Sequence, residues 1–305
     1  MGKCAFYREL AGVSRPVYTA SVMPELPEVE TVVRELRVPL PGRTVARAIL
    51  TAPDLYRRGS ADISLLAGAR IDAVDRRGKA IVVSLHPHRG RPNRLVVHLG
   101  MTGRLEWNDT RAKRAKPRHL HARILFTDGS ELRYVDPRRF GYIFVGTPAS
   151  VEESLRMGPD PFEIDSKMLA AQLSKRSASI KSLLLNQHIV SGLGNIYVDE
   201  ALYRVRIHPL TPGMRVSVRA AEILEAARAV LRRAIDARGT TLRDYRRTDG
   251  TTGEFQVKLL VYGRDGGRCG RCGAEIRKMV VAQRGTHYCP RCQKRPRISA
   301  SVSRK

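Results

Sequence analysis

The apolar positions follow two different periods along the chain. Val29, Val32, Val33 and Leu36 fall at i, i+3, i+4 and i+7, one face of an amphipathic helix. Pro27 suits the first turn of that helix, where its missing N–H has no helical partner. Glu28 and Glu30 suit the positive end of its dipole. From residue 43 to 148 the period shortens. "KAIVVSL", "RLVVHLG", "ARILFTDGSELRYV" and "GYIFVG" are short, β-branched runs, and "TDG" between two of them predicts a hairpin turn. No strand–helix–strand alternation is visible, so this half predicts an antiparallel β-sandwich.

After about residue 150 the helical period returns in "SKMLAAQLSKR", "SIKSLLLNQ", "NIYVDEALYRVR" and "SVRAAEILEAARAVLRRAIDARG", the last ending at Gly239. "LLLNQHIVSGLGNIYVDEALYR" reads as helix, two turns, helix. The expected divisions are a sandwich domain over 24–150, a helical domain over 151–262, a cysteine-bearing module over 263–297 and a basic tail over 298–305. Residues 1–22 show no period and are expected to be a disordered extension or the product of a mis-assigned start. Their Arg, Ser and scarce acid also fit a transit peptide.

Charge narrows the function. With 55 Lys and Arg against 29 Asp and Glu, the chain carries a net charge of +26. A GC-rich genome explains Arg over Lys but not the deficit of acids, so a polyanion is expected, with nucleic acid first. No apolar run is long enough to span a bilayer. Cys4 stands alone, and the odd count of five cysteines points to a reducing compartment. Cys269 and Cys272, then Cys289 and Cys292, form two C-x2-C pairs separated by sixteen residues. That spacing predicts one four-thiolate zinc site, structural because every position is filled. The alternative is a pair of reduced turns without metal. Arg and Lys crowd this module, and Arg284 in "QRGTH" stands beside a glycine that permits close backbone approach. In "SGLGNIYVDE", Asn195 is a good N-cap, and the bare N–H groups of the helix start favour an anion, expected to be a phosphate.

"MPELPEVETVVREL", "RRGKAIVV", "HLGMTGRL", "DPRRFGYIFV", "GLGNIYVDEALY" and "VYGRDGGRCGRCG…QRGTHYCPRCQ", taken in this order, resemble the formamidopyrimidine-DNA glycosylase family from Met23 to about Gln293. The resemblance implies an α+β multidomain protein: an N-terminal antiparallel β-sandwich with a flanking helix, a central helix–two-turn–helix domain and a C-terminal four-cysteine zinc finger. Double-stranded DNA would bind between the halves, and 8-oxoguanine and ring-opened purines would be removed. It implies Pro24 as nucleophile, Glu25 as acid–base group, Glu28 as supporting carboxylate and Lys79 as a DNA contact that assists removal of oxidised purines. Asn195 and Arg284 match the phosphate clamps, and His98 a further backbone contact. Met101, Arg138 and Phe140 match the residues that fill the hole left by an extruded base. The loop around 241–254 resembles the one that closes over that base. A monomer in the bacterial cytoplasm is expected. The related endonuclease VIII group, which prefers oxidised pyrimidines, typically has Gly where this chain has Leu26.

The chemistry follows from the atoms. A terminal proline is a secondary amine that titrates near about 8, so it can attack a sugar C1′ as a Schiff-base lysine would. Inside a chain the same nitrogen is a tertiary amide with a delocalised lone pair. Here Met23 and 22 further residues precede Pro24. Met23 is therefore expected to be the genuine start, with methionine removal freeing the amine. If the extension is retained, the protein is a catalytically inactive zinc-finger binder of damaged DNA, or a protease must switch it on.

Overall fold

The computed structural model describes residues 23–86, 90–109, 117–240 and 255–296. The expectations for residues 1–22 with Cys4, for the loop at 241–254 and for the tail from 298 lie outside them. Helix α1 (Leu26–Leu36) opens the described chain and buries Val29, Val32, Val33 and Leu36, the expected face. Eight strands follow: β1 (Val45–Leu50), β2 (Ile71–Arg77), β3 (Ala80–Leu85), β4 (Arg94–His98), β5 (Arg104–Asn108), β6 (Leu120–Phe126), β7 (Glu131–Val135) and β8 (Tyr142–Gly146).

They form two antiparallel four-stranded sheets, ordered β1-β6-β7-β5 and β2-β3-β4-β8. Val83, Val97 and Ile143 of one sheet and Ala122, Ile124 and Leu132 of the other share a core with the buried face of α1. The "TDG" turn joins β6 to β7. Gly129 takes φ +82°, and the Asp128 carboxylate accepts from Ser130 N at 3.0 Å, the side-chain bond that makes Asp a turn residue.

The second half is helical: α2 (Pro148–Leu155), α3 (Ser166–Ser174), α4 (Ile180–Leu185), α5 (Asn195–Arg204), α6 (Gly213–Val216) and α7 (Ala220–Asp236). Its core joins Ile180, Leu184, Ile196, Leu202, Ile223, Val230 and Leu231, and it takes in Leu26 from the first residue of α1. Helix α1 thus packs on both bodies. Arg76 of β2 is a second tie, pairing with Glu30 at 3.0 Å and Asp160 at 2.6 Å, all three nearly buried. The chain closes in a hairpin, β9 (Arg277–Val281) with β10 (Arg284–Tyr288), flanked by the cysteine pairs. No helix among the described residues is long and apolar enough to cross a membrane.

Candidate active site and nucleic-acid interface

Pro24 and Glu25 lie between the two halves, at the start of α1 and against the start of α5. Leu26 N donates to Gly192 O at 3.1 Å and fixes this approach. Glu25 Oε1 accepts from Ile196 N of α5 at 3.1 Å, and Oε2 is buried with no hydrogen-bond partner among the described residues. Burial raises the Glu25 pKa, opposed by the Lys79 charge and by the α5 N–H groups.

This contact corrects one expectation. The N-cap of α5 is Gly194, not Asn195, because Glu25 fills the space a Cβ would need at position 194. The bare N–H groups of this helix start are met by the protein's own Glu25 carboxyl group, not left open for a phosphate at Ile196 N. Asn195 turns aside. Its Nδ2 donates to Gly285 O at 2.9 Å, and its Oδ1 is buried with no hydrogen-bond partner among the described residues.

Glu28 braces the same corner. Oε2 accepts from Glu25 N at 2.9 Å, and Oε1 accepts from Tyr197 OH at 2.5 Å and Thr240 N at 2.7 Å. Burial and the nearby Glu25 charge push its pKa up to about 7. One carboxyl group therefore joins the start of α1, helix α5 and the last described residue before 241–254.

Lys79 and Gly78, at φ +57°, make the two-residue turn between β2 and β3. A Cβ on Gly78 would press on Met157 and Ser191, so this turn leans on the helical half. Lys79 is half-buried. Desolvation lowers its pKa, and the Glu25 charge works in the opposite direction. Its charge in turn acts on His98, whose strand partner is Ala80. His98 stacks on Tyr142 with centroids 4.9 Å apart, and its Nδ1 accepts from Gly100 N at 3.1 Å. Burial, then the charges of Lys79 and Arg57, lower its pKa to about 4. The ring is therefore neutral at pH 7, with the proton on Nε2.

Beyond His98 the chain turns at Gly100 into Met101, which is half-buried. Arg138 and Phe140 occupy the adjoining loop. Phe140 is 52% exposed, and the Arg138 guanidinium lies 4.4 Å from its ring centroid. A half-exposed phenylalanine under an arginine is no core residue.

Arg284 is exposed and follows a tight turn in which Ala282 and Gln283 both have positive φ. The expected close approach at Gly285 takes place inside the protein. Its carbonyl accepts from Asn195 Nδ2 and, at 3.3 Å, from Lys181 Nζ. Lys181 is fully buried against Asp199, 2.6 Å away, and Asp199 accepts from His287 N at 2.8 Å. Burial lowers the Lys181 pKa, and the Asp199 charge opposes it. Glu200 accepts from Leu260, Val261 and Tyr262 N. Sequence reasoning passed over Lys181, Asp199 and Glu200. The available signal was a lysine among the apolar residues of α4 and an adjacent pair of acids in α5.

The sulfurs of Cys269, Cys272, Cys289 and Cys292 all lie within 4.8 Å of one another, with Cys272 and Cys289 3.4 Å apart and Cys269 and Cys292 3.9 Å apart. Those separations exceed a disulfide bond and match a zinc tetrahedron, whose edges are about 3.8 Å for Zn–S bonds of about 2.3 Å. The residues therefore fit a zinc ion. Cys289 follows the end of β10 opposite to Arg284, roughly 16 Å along the strand. Tyr203 of α5 donates to or accepts from Cys269 Sγ at 3.2 Å. One helix thus contacts Glu25 at its start and the cysteine cluster at its end.

Comparison with known proteins agrees with this geometry. The formamidopyrimidine-DNA glycosylase N-terminal domain profile matches residues 23–143, and the H2TH domain of the same proteins matches 157–246. A zinc finger found in FPG and IleRS matches 266–295. The chain is 41% identical to formamidopyrimidine-DNA glycosylase of Enterococcus faecalis over 279 residues, covering 89% of this chain and 97% of that one. It is 44% identical to the Symbiobacterium thermophilum protein of that name, covering 90% of each. The crystal structure of the MutM (Fpg) protein from Thermus thermophilus superposes with a TM-score of 0.78 at 38% identity, covering 90% of this chain and all of that one. A complex between Lactococcus lactis Fpg and an abasic-site-containing DNA gives 0.79 at 34% identity, covering 89% and 100%. By sequence, domain order and fold, the chain belongs to the formamidopyrimidine-DNA glycosylase family.

Proposed function

We propose that this chain is a bifunctional DNA glycosylase and abasic-site lyase that removes oxidised purines, 8-oxoguanine and formamidopyrimidines, from duplex DNA. The observation that supports it most is the state of Glu25 beside Pro24. One carboxyl oxygen is anchored on a helix N–H, the other has no partner among the described residues, and burial favours the protonated form. Such a group is suited to hand a proton to a sugar oxygen as the ring opens.

Pro24 N, once it is a chain terminus, is a secondary amine. It bonds to C1′ and gives up its N–H proton, while the bond from C1′ to the damaged base breaks and the base leaves with the electron pair; the C1′–O4′ bond then breaks as Glu25 protonates O4′, and the open sugar remains as an iminium. The iminium acidifies the C2′ hydrogen. Its loss expels the 3′ phosphate, and a second elimination expels the 5′ phosphate. Glu28 holds the backbone of Glu25 in register. Burial eases proton loss from Lys79, which faces the same corner and contacts DNA and lesion.

Asn195, Arg284 and His98 hold phosphates, with neutral His98 offering its Nε2–H. Met101, Arg138 and Phe140 enter the duplex where the base has left. Zinc on Cys269, Cys272, Cys289 and Cys292 folds the finger and takes no part in bond making. The partner is double-stranded DNA with oxidised bases or abasic sites, consistent with the net charge of +26. The protein acts as a monomer in the bacterial cytoplasm.

A panel of duplexes carrying 8-oxoguanine, a formamidopyrimidine or thymine glycol tests this reading. Preferred release of the purine lesions with strand cleavage is expected. Preferred release of thymine glycol would move the chain to the endonuclease VIII type. Binding without release would make it a damage-binding protein.

A further inference from the structure

Asp136 is a fully buried carboxylate that forms no ion pair among the described residues. Neutral donors surround it instead. Oδ1 accepts from Thr102 Oγ1 at 2.5 Å and Arg138 N at 3.3 Å. Oδ2 accepts from Tyr134 OH at 3.0 Å and Gly141 N at 2.9 Å. Its carbonyl accepts from Arg139 N at 3.3 Å and lies 3.0 Å from His121 Nε2.

Tyr134 belongs to β7; the other three donors come from the two loops that carry exposed chemistry. Thr102 follows Met101 directly, while Arg138 N and Gly141 N flank Phe140. The loops also meet backbone to backbone: a Cβ on Gly100 would overlap Gly141 N and lie 2.6 Å from Phe140 O. A Cβ on Gly141 would overlap Tyr134 OH.

We propose that Asp136 is a positioning residue that locks the Met101 loop to the Arg138–Phe140 loop, so that all three side chains enter the duplex as one preset wedge. This rests on the reading of Met101, Arg138 and Phe140 as the void-filling set. Ordering the loops before DNA arrives removes the entropy of ordering them on binding. An asparagine cannot replace it. The two backbone N–H groups approach different carboxylate oxygens, and an amide offers one acceptor and one donor.

The test uses duplexes with 2-aminopurine opposite 8-oxoguanine, and matched duplexes with no base opposite the lesion. With wild type, 2-aminopurine fluorescence rises on binding as the orphaned base loses its stack. With Asp136→Asn the rise is lost, and excision from the paired duplex falls roughly tenfold or more, the scale set by a buried donor left unpaired. Excision from the duplex without an opposite base falls much less. If Asp136→Asn lacks a cooperative melt, Thr102→Val, which removes one donor at the loop surface, decides in the same assays with a smaller change of the same sign. A wild-type rise matched by the variant, with paired and unpaired excision falling equally, overturns the positioning role. No rise with wild type refutes the wedge itself, a separate failure.

Discussion

A Cβ on Gly194 would overlap the carboxyl carbon of Glu25 and lie 2.6 Å from its Cγ. That missing atom lets the N-terminal segment insert its acid into the start of α5, where Ile196 N receives it. The two halves of the molecule are joined at the corner that holds the proposed acid.

Gly194→Ala should therefore act on chemistry more than on the fold. Overpacking at this contact costs about 1–3 kcal/mol of stability. Glu25 must also move, and a displacement on the order of 1 Å can cost about a hundredfold in rate. Thermal melting and single-turnover excision of 8-oxoguanine check both parts. Wild-type excision by this variant would show that the placement of Glu25 does not matter.

Glu25→Gln keeps an acceptor for Ile196 N but has no proton to give. Excision should fall by about 10²–10⁴, the usual contribution of a positioned acid–base group, while affinity for lesion-bearing duplex is retained. Gel-shift and excision assays separate the two. Full turnover removes Glu25 from its role.

Glu28 predicts a pH dependence of stability. Its folded pKa, about 7, lies above the ordinary 4.5, so the folded state binds this proton more tightly than the unfolded state. The contribution is fully present below about 4.5 and is lost as pH rises through about 7, a change of about 3 kcal/mol. Glu28→Gln should be less stable overall, because three donors share this carboxylate, but its stability should fall less steeply from pH 5 to pH 8. Melting curves across that range decide. Parallel profiles for both proteins would contradict the assignment.

Stripping the metal should release the finger and, with it, the Gly285 carbonyl that receives Asn195 and Lys181. Duplex affinity should drop sharply and return with zinc. Unchanged affinity after chelation, with zinc loss confirmed by metal analysis, would refute a folding role.

Much of this was legible in the chain because it depends on local period or fixed spacing. The α1 face, the β6–β7 turn and the cysteine pairs are features of that kind; α7 ends at Asp236, three residues before the expected Gly239, where the chain leaves through positive φ at Arg238 and Gly239. Strands β1, β2 and β5 carry mixed polar residues and lack the dense β-branched runs that marked the others. What stayed hidden depends on pairs far apart in sequence. Asn195 has the right residue type for a cap, yet Gly194 takes the position because of a side chain 169 residues earlier. Asp136, Lys181 and Asp199 read as ordinary charges, and only folding shows what surrounds them.

The central claim is that Pro24 nitrogen attacks the sugar. Borohydride trapping on 8-oxoguanine duplex tests it most directly, comparing the 305-residue chain with one beginning at Pro24, with intact mass recorded for each. The account predicts a covalent adduct only with the chain that begins at Pro24. An adduct on the intact long chain, its first 23 residues still attached, would show that Pro24 is not the nucleophile and would turn attention to Lys79.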